Sequence, residues 1–395
     1  MFGSGQWSDA LLGVNIRKLL FLVILSLSVI ANIGTSAPSV RTLLCIAGAT
    51  VLTLVWVVLL PSIYFAHLDY SMRDSIPLIA SLCIIPFRSL MTARIWSRGR
   101  LIIGCGILVT SLLQILYYLS GAIVPGSELL LVELHRTLLD PLNLDPENAV
   151  FASTVDGITR VNWPGTGMLL IGLYIFCTVQ KLELRRRLQI LAIFIITFAL
   201  YAAQTRALQI SSIILVIVHQ LTKRRAPIRI LPIHVYSTLI FCLALTLPIV
   251  LSLDPQLLES IGISRGGSDD ERYDQIMPLL KSWLEHPFFG HGFGASTSIV
   301  RSSDSPFAYE MFVLALLMKL GLVGVALMIF ILSNLVLFAT HTHRRIDANQ
   351  GAWVLGLTIA LAFSTNTNPY LTSLLGTLTV VFVLLELQFR LQRPS

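Results

Sequence analysis

The chain has 395 residues, 55% of them hydrophobic and only 12% charged, with a mean hydropathy of +0.79. Soluble domains carry about 25% charged residues, so a water-soluble enzyme is excluded and an all-α polytopic membrane protein is expected. The net charge of +7 gives no reason to expect a nucleic-acid partner, because most basic residues gather in short loops between apolar runs, as the positive-inside bias requires.

In chain order, the runs long enough to span a membrane, or nearly so, are Leu19–Ile33, Thr42–Leu60, Ile76–Pro86, Leu101–Ser120, Gly165–Val179, Leu188–Ala203, Ala207–His219, Ile230–Leu251, Leu322–Thr340, Ala352–Ser364 and Leu371–Phe389. A twelfth element is accommodated within Ser305–Leu320. The first run lacks a small-residue cleavage site and is followed at once by another, so no cleavable signal peptide is expected. The domain is a single membrane unit, residues 1–395, with polar excursions at 121–162 and 254–320. The five cysteines (Cys45, Cys83, Cys105, Cys177, Cys242) all fall in apolar runs, so no disulfide is expected. No metal-ligand spacing and no nucleotide motif appears, and no cofactor is expected.

Basic clusters set the orientation: Arg88–Arg100, Lys181–Arg187, Lys223–Arg229, Arg344 with Arg345, and Arg390 with Arg393. Successive clusters are two spans apart, so all are expected on the cytoplasmic side. The acidic stretches Gly121–Asn162 and Asp254–Ser305 then lie outside. Counting back through three runs puts the N-terminus outside as well, against the preference of Arg17 and Lys18. The spans show no related halves and no apparent acids, which argues against a transporter.

Gln204-Thr205-Arg206 interrupts the apolar stretch Ile190–Leu221. An arginine at mid-membrane costs at least about 2.5–3.5 kcal/mol, so the chain is expected to turn there and present Arg206 at the outer face. In the long outer segment, Ser268-Asp269-Asp270-Glu271 fits a capping box. The helix it opens carries Arg272 in its first turns, is expected to kink at Pro278, and should stop near Glu285-His286-Pro287. Gly290-His291-Gly292-Phe293-Gly294 follows. With no Lys-Ser/Thr after it, it reads as a tight re-entrant turn rather than a phosphate cradle. Pro306–Leu320 reads as a surface or re-entrant helix bearing Glu310 near its start, ahead of one crossing at Leu322–Thr340. Glu310 is either a helix-terminal carboxylate or, beside two arginines at a lipid boundary, a general base.

These segments resemble the O-antigen ligase/O-antigen polymerase superfamily of bacterial inner-membrane glycosyltransferases. The resemblance is carried by Arg160-Val161-Asn162-Trp163-Pro164-Gly165, by Gln204-Thr205-Arg206-Ala207, and by Glu271-Arg272 through Trp283 into His286-Pro287-Phe288-Phe289-Gly290-His291-Gly292-Phe293-Gly294. Leu317–Gly324 completes it. It implies a GT-C-like, metal-independent transfer at the periplasmic face. An acceptor hydroxyl attacks a sugar linked to undecaprenyl diphosphate, and Arg206 and Arg272 hold the diphosphate. Arg160, His291 and Tyr309 are further implied substrate contacts. Ligases typically carry a His-Asn pair where this chain reads Ala308-Tyr309-Glu310. That departure favours a polymerase with Glu310 as catalytic base. Asn366-Thr367-Asn368-Pro369-Tyr370-Leu371 resembles a polymerase segment, or is plain turn chemistry. A ligase to lipid A-core and a lipid-linked glycan flippase are the alternatives. Implied partners are the lipid-linked glycan, membrane lipids and a chain-length regulator of polysaccharide assembly.

Overall fold

In the computed structural model, the residues described are 40–64, 67–81, 91–123, 151–155, 158–162, 166–178, 186–203, 205–223, 268–300, 306–309, 311–340, 348–366 and 374–390. Among them the regular structure is helical except for one antiparallel hairpin, Phe151–Val155 with Ile158–Asn162, and 286–300 form a loop. Those strands carry Thr, Val and Ile, residues that suit a pleated backbone. The runs Leu19–Ile33 and Ile230–Leu251, and with them the orientation of the N-terminus, lie outside the described residues.

The protein is a polytopic membrane protein. Three described helical stretches are long and apolar enough to cross a bilayer, Thr42–Ile63, Arg94–Ser120 and Phe312–Val336, and four shorter apolar helices accompany them. The expected run Ile76–Pro86 is instead met by a helix over Leu68–Ser81, which starts in polar sequence and carries Asp69, Arg73 and Asp74.

Neighbouring spans run antiparallel. Cys45 Sγ meets the Ile331 carbonyl while Trp56 meets that of Leu320, so the helix from Val40 runs opposite to Phe312–Thr340. Gly104 faces Ile175 and Gly172 faces Ile107, which sets Ala93–Ile123 against Leu169–Thr178 in the same sense. His219 stacks on Trp353 at 3.7 Å and Gly356 touches the Leu215 backbone, pairing Arg206–Lys223 with Ala348–Asn366. In lipid, helices gain little from burying apolar surface against one another, so close approach at small residues carries much of the association. These pairings bring the Arg94–Arg100 end of one helix beside the Thr178 and Arg390 ends of two others. Arg206 and Asn366 share an end of their own pair.

The expectation of acid-free spans is corrected. Glu386 is fully buried in Leu374–Arg390 and is held by Trp96 Nε1 at 2.9 Å, the Tyr174 hydroxyl at 2.7 Å and Arg100 at 3.6 Å. The acid itself stands in the sequence within the run Leu371–Phe389; what the sequence does not show is its partners, which come from two other helices, and pairing is what lets a charge stay buried. The network is satisfied and sits at the basic end of the bundle. Removing one member of such a pair costs about 3–5 kcal/mol, so Glu386→Ala is expected to lower the melting temperature in detergent markedly, whereas Tyr174→Phe costs about 1 kcal/mol.

Candidate functional site

The helix Phe312–Thr340 is continuous except at Gly321, which has φ 61° and ψ −175°. A break in a helix strips the carbonyls before it and the amides after it of their partners. Here the loop His286–Gly294 supplies replacements for both halves. His291 N donates to Met318 O (3.0 Å) and Gly292 N to Lys319 O (2.8 Å). Leu322 N donates to Pro287 O and Val323 N to Phe288 O, each at 2.9 Å. Trp56 Nε1 completes the set, donating to Leu320 O (2.9 Å) and Phe289 O (2.7 Å). The helix is therefore divided at Gly321, inside a stretch, Phe312–Val336, that is long and apolar enough to cross a bilayer. The first piece begins at Phe312 rather than Pro306, because the carbonyl of Phe307 is taken by the Lys319 ammonium.

Contact this close leaves no room for a Cβ at the junction. One at Gly290 would strike the Lys319 carbonyl, and one at Gly321 would strike that of Phe288. Gly290, Gly292 and Gly294 all adopt positive φ, the geometry expected of a tight turn.

The opposite wall comes from the helix that begins at Val40. It passes through a π turn, Thr53–Leu59, into Leu60–Ile63. Pro61 has no N–H to give, and the carbonyls of Trp56 and Val57 upstream of it accept from Phe293 N (2.8 Å) and Ser71 Oγ (2.7 Å). Gly294 N donates to Asp74 Oδ2 at 2.9 Å. Four successive amides, 291 to 294, are thus spent on protein acceptors. The glycine-rich loop is structural, and its amides are not a phosphate cradle.

Asp74 also pairs with Lys319 at 2.7 Å, both side chains almost wholly buried. Lys319 Nζ donates to Phe307 O at 2.8 Å and lies 5.7 Å from the Phe307 ring centre. Beside it, buried Tyr309 accepts from the Thr297 amide through its hydroxyl. Burial pushes the Tyr309 phenol above its ordinary pKa, so it stays protonated at neutral pH. Neither Asp74 nor Lys319 was expected from sequence.

At the rim, Tyr64 and His286 share a hydrogen bond of 3.2 Å, and the two imidazoles meet edge to face at 4.6 Å. His291 Nδ1 lies 3.4 Å from Met318 O, and its Nε2 lies 4.0 Å from Glu285. A carbonyl only accepts, so this contact calls for a proton on Nδ1.

Arg206 follows the expected break in the chain, and Arg272 stands in the expected first turns of its helix. The helices Arg186–Ala202 and Arg206–Lys223 meet at a break over Ala203–Thr205, where the Thr205 carbonyl accepts from the amides of Leu208 and Gln209. Arg206 is the first residue of its helix, and Arg272 sits in the first turns of Ser268–Glu285, which runs through Pro278. Both cations therefore belong to positive ends of helix dipoles, which attract anions. Arg160 lies on the second hairpin strand, opposite Ser153. Glu310 lies outside the described residues, between buried Tyr309 and Met311, as do positions 367–373 of the asparagine-containing turn. Among the described residues no cluster of His, Cys, Asp or Glu could hold a metal ion.

Residues 191–329 match the family model described as O-antigen ligase. The match supports the O-antigen ligase/polymerase superfamily, and it contains Arg206, Arg272, the loop 286–294, Glu310 and the break at Gly321 but neither Arg160 nor Asp74. No curated protein and no solved structure matches the chain.

Two outcomes follow from this geometry. Trp56→Phe keeps the ring but leaves two carbonyls without their donor, at about 1–3 kcal/mol each, and is expected to loosen the loop, read as faster hydrogen exchange at 287–294. Burial lowers the His291 pKa below 6.5, with His286 adding to the shift, while the Met318 contact and Glu285 oppose it. The unfolded chain then binds the proton first, so the stability contributed is full above pH 6.5 and is lost as pH falls through the folded value. Melting curves on the acid side should therefore be flatter for His291→Asn than for wild type.

Proposed function

We propose that the protein polymerises oligosaccharide repeat units carried on undecaprenyl diphosphate, at the periplasmic face of a bacterial inner membrane. The observation that carries this reading is the placement of Arg206 and Arg272 in the first turns of two helices, both inside the region that matches the O-antigen ligase family. A diphosphate leaving group needs fixed positive charge as its own negative charge develops, and such preorganised stabilisation is usually the largest catalytic term. Arginine suits the task because its planar fork binds phosphate oxygens in pairs.

In this reading the growing chain's anomeric carbon is attacked by a hydroxyl of the next repeat unit. Glu310 takes the hydroxyl proton, the bond to the diphosphate lipid breaks, and the arginines hold the released anion. No metal is required, because the two guanidinium groups and the helix ends supply the charge. Arg160, His291 and Tyr309 are proposed as glycan-side contacts. The absence of a His-Asn pair around position 310 favours the polymerase over a ligase, in which a histidine would take the proton. A chain-length regulator is a proposed partner, acting from outside the described site.

Arg206→Ala and Arg272→Ala are each expected to abolish polymer while the protein still accumulates in membranes. Arg→Lys at either position should restore little, because one ammonium cannot reproduce the paired contact. Glu310→Gln keeps the shape and removes proton acceptance, a loss worth about 10²–10⁴ in rate. Wild-type chain synthesis in both alanine variants would refute the diphosphate assignment.

A further inference from the structure

We infer that Asp74 and Lys319 are positioning residues for the reaction proposed above: their buried ion pair fixes the chain on either side of position 310 against the broken helix. The inference rests on that reading and extends it to a residue outside the family-matched region.

Four segments converge on this pair. Lys319 lies two residues before the break at Gly321 and reaches back to the carbonyl of Phe307. Asp74 comes from the separate helix Leu68–Ser81, and the same Oδ2 that meets Lys319 also accepts the Gly294 amide. The pair therefore ties the turn at Phe307 to the glycine-rich loop, to the helix bearing Ser71 and Asp74, and to the helical piece that ends at Gly321. Tyr70 packs on the Phe307 ring from the same helix at 5.8 Å, and Tyr309 is tied to Thr297. Tyr309 and Met311, the neighbours of Glu310, are both buried.

Stability alone does not explain the arrangement. Replacing a buried ion pair by well-packed apolar side chains is often neutral or stabilising, so its value lies in fixing one geometry among several packed alternatives. A polar tie to a single carbonyl fixes position more tightly than apolar contact, and a displacement of about 1 Å at a reacting group can cost about 100-fold in rate.

The test uses the purified full-length protein and an undecaprenyl-diphosphate-linked repeat unit. It compares wild type with the double variant Asp74→Leu/Lys319→Met, which removes both charges together and leaves neither stranded. The double variant is expected to melt below wild type, because it leaves Phe307 O and Gly294 N without partners, yet to stay folded at the assay temperature and to keep its KM for the lipid-linked donor. Its kcat should fall about 100-fold, and the acid limb of its pH–rate profile should move, because the environment of the proton acceptor has changed. If the double variant does not accumulate, Lys319→Arg carries the same test, since it keeps the charge but displaces the Phe307 contact. A folded variant with wild-type kcat and pH profile would overturn the inference. So would a loss of rate that follows the melted fraction with an unmoved profile, the mark of a merely structural pair. Failure of the wild type itself to elongate the donor would instead remove the reading on which the inference rests.

Discussion

A helix broken inside lipid must find new partners for the backbone groups it frees, since the bilayer core offers none. The break at Gly321 is the constraint around which this protein is arranged. Carbonyls 318 to 320 and amides 322 and 323 are all met by protein, from the loop after Glu285 and from Trp56. Each donor and acceptor recruited this way fixes a further segment. The loop can reach only because glycine at 290 and 321 lets two backbones touch, and Trp56 sits where a π turn ahead of Pro61 leaves its own carbonyl free for Phe293.

That arrangement constrains the chemistry. With its amides committed, the glycine-rich loop is scaffold, and in the proposed reading the diphosphate is left to the arginines at helix starts. Charge buried elsewhere is compensated in place: Asp74 by Lys319 near the loop, Glu386 by Arg100, Trp96 and Tyr174 near the basic helix ends. Acids within the helices remove the argument against a transporter that rested on acid-free spans.

Much of this was legible in the sequence wherever a local physical rule decided it. Arginine is too costly for mid-membrane, so the turn before Arg206 could be read directly, and the structure breaks the helix at 203–205. Ser268 and Glu285 bound a helix as the capping pattern and the following His-Pro required. Glycines at alternate positions announced the turn of 290–294, and the expected bounds Pro306–Leu320 and Leu322–Thr340 left Gly321 between them. What stayed hidden depends on pairs distant in sequence. Nothing near Asp74 predicts Lys319, and nothing near Glu386 predicts Arg100 or Tyr174, because each acid looks unaffordable until the fold delivers its partner. The helix at Leu68–Ser81 was misplaced for the same reason: its polar start is tolerated only because Ser71 and Asp74 serve Val57 and the loop.

The central claim is that one lipid-diphosphate-linked glycan serves as both donor and acceptor. Detergent-purified protein incubated with a single undecaprenyl-diphosphate-linked repeat unit, and no other acceptor, tests it directly by gel and mass spectrometry. The account predicts a ladder of products differing by one repeat. No ladder, with transfer appearing only once lipid A-core is added, would contradict it and assign the chain to ligation.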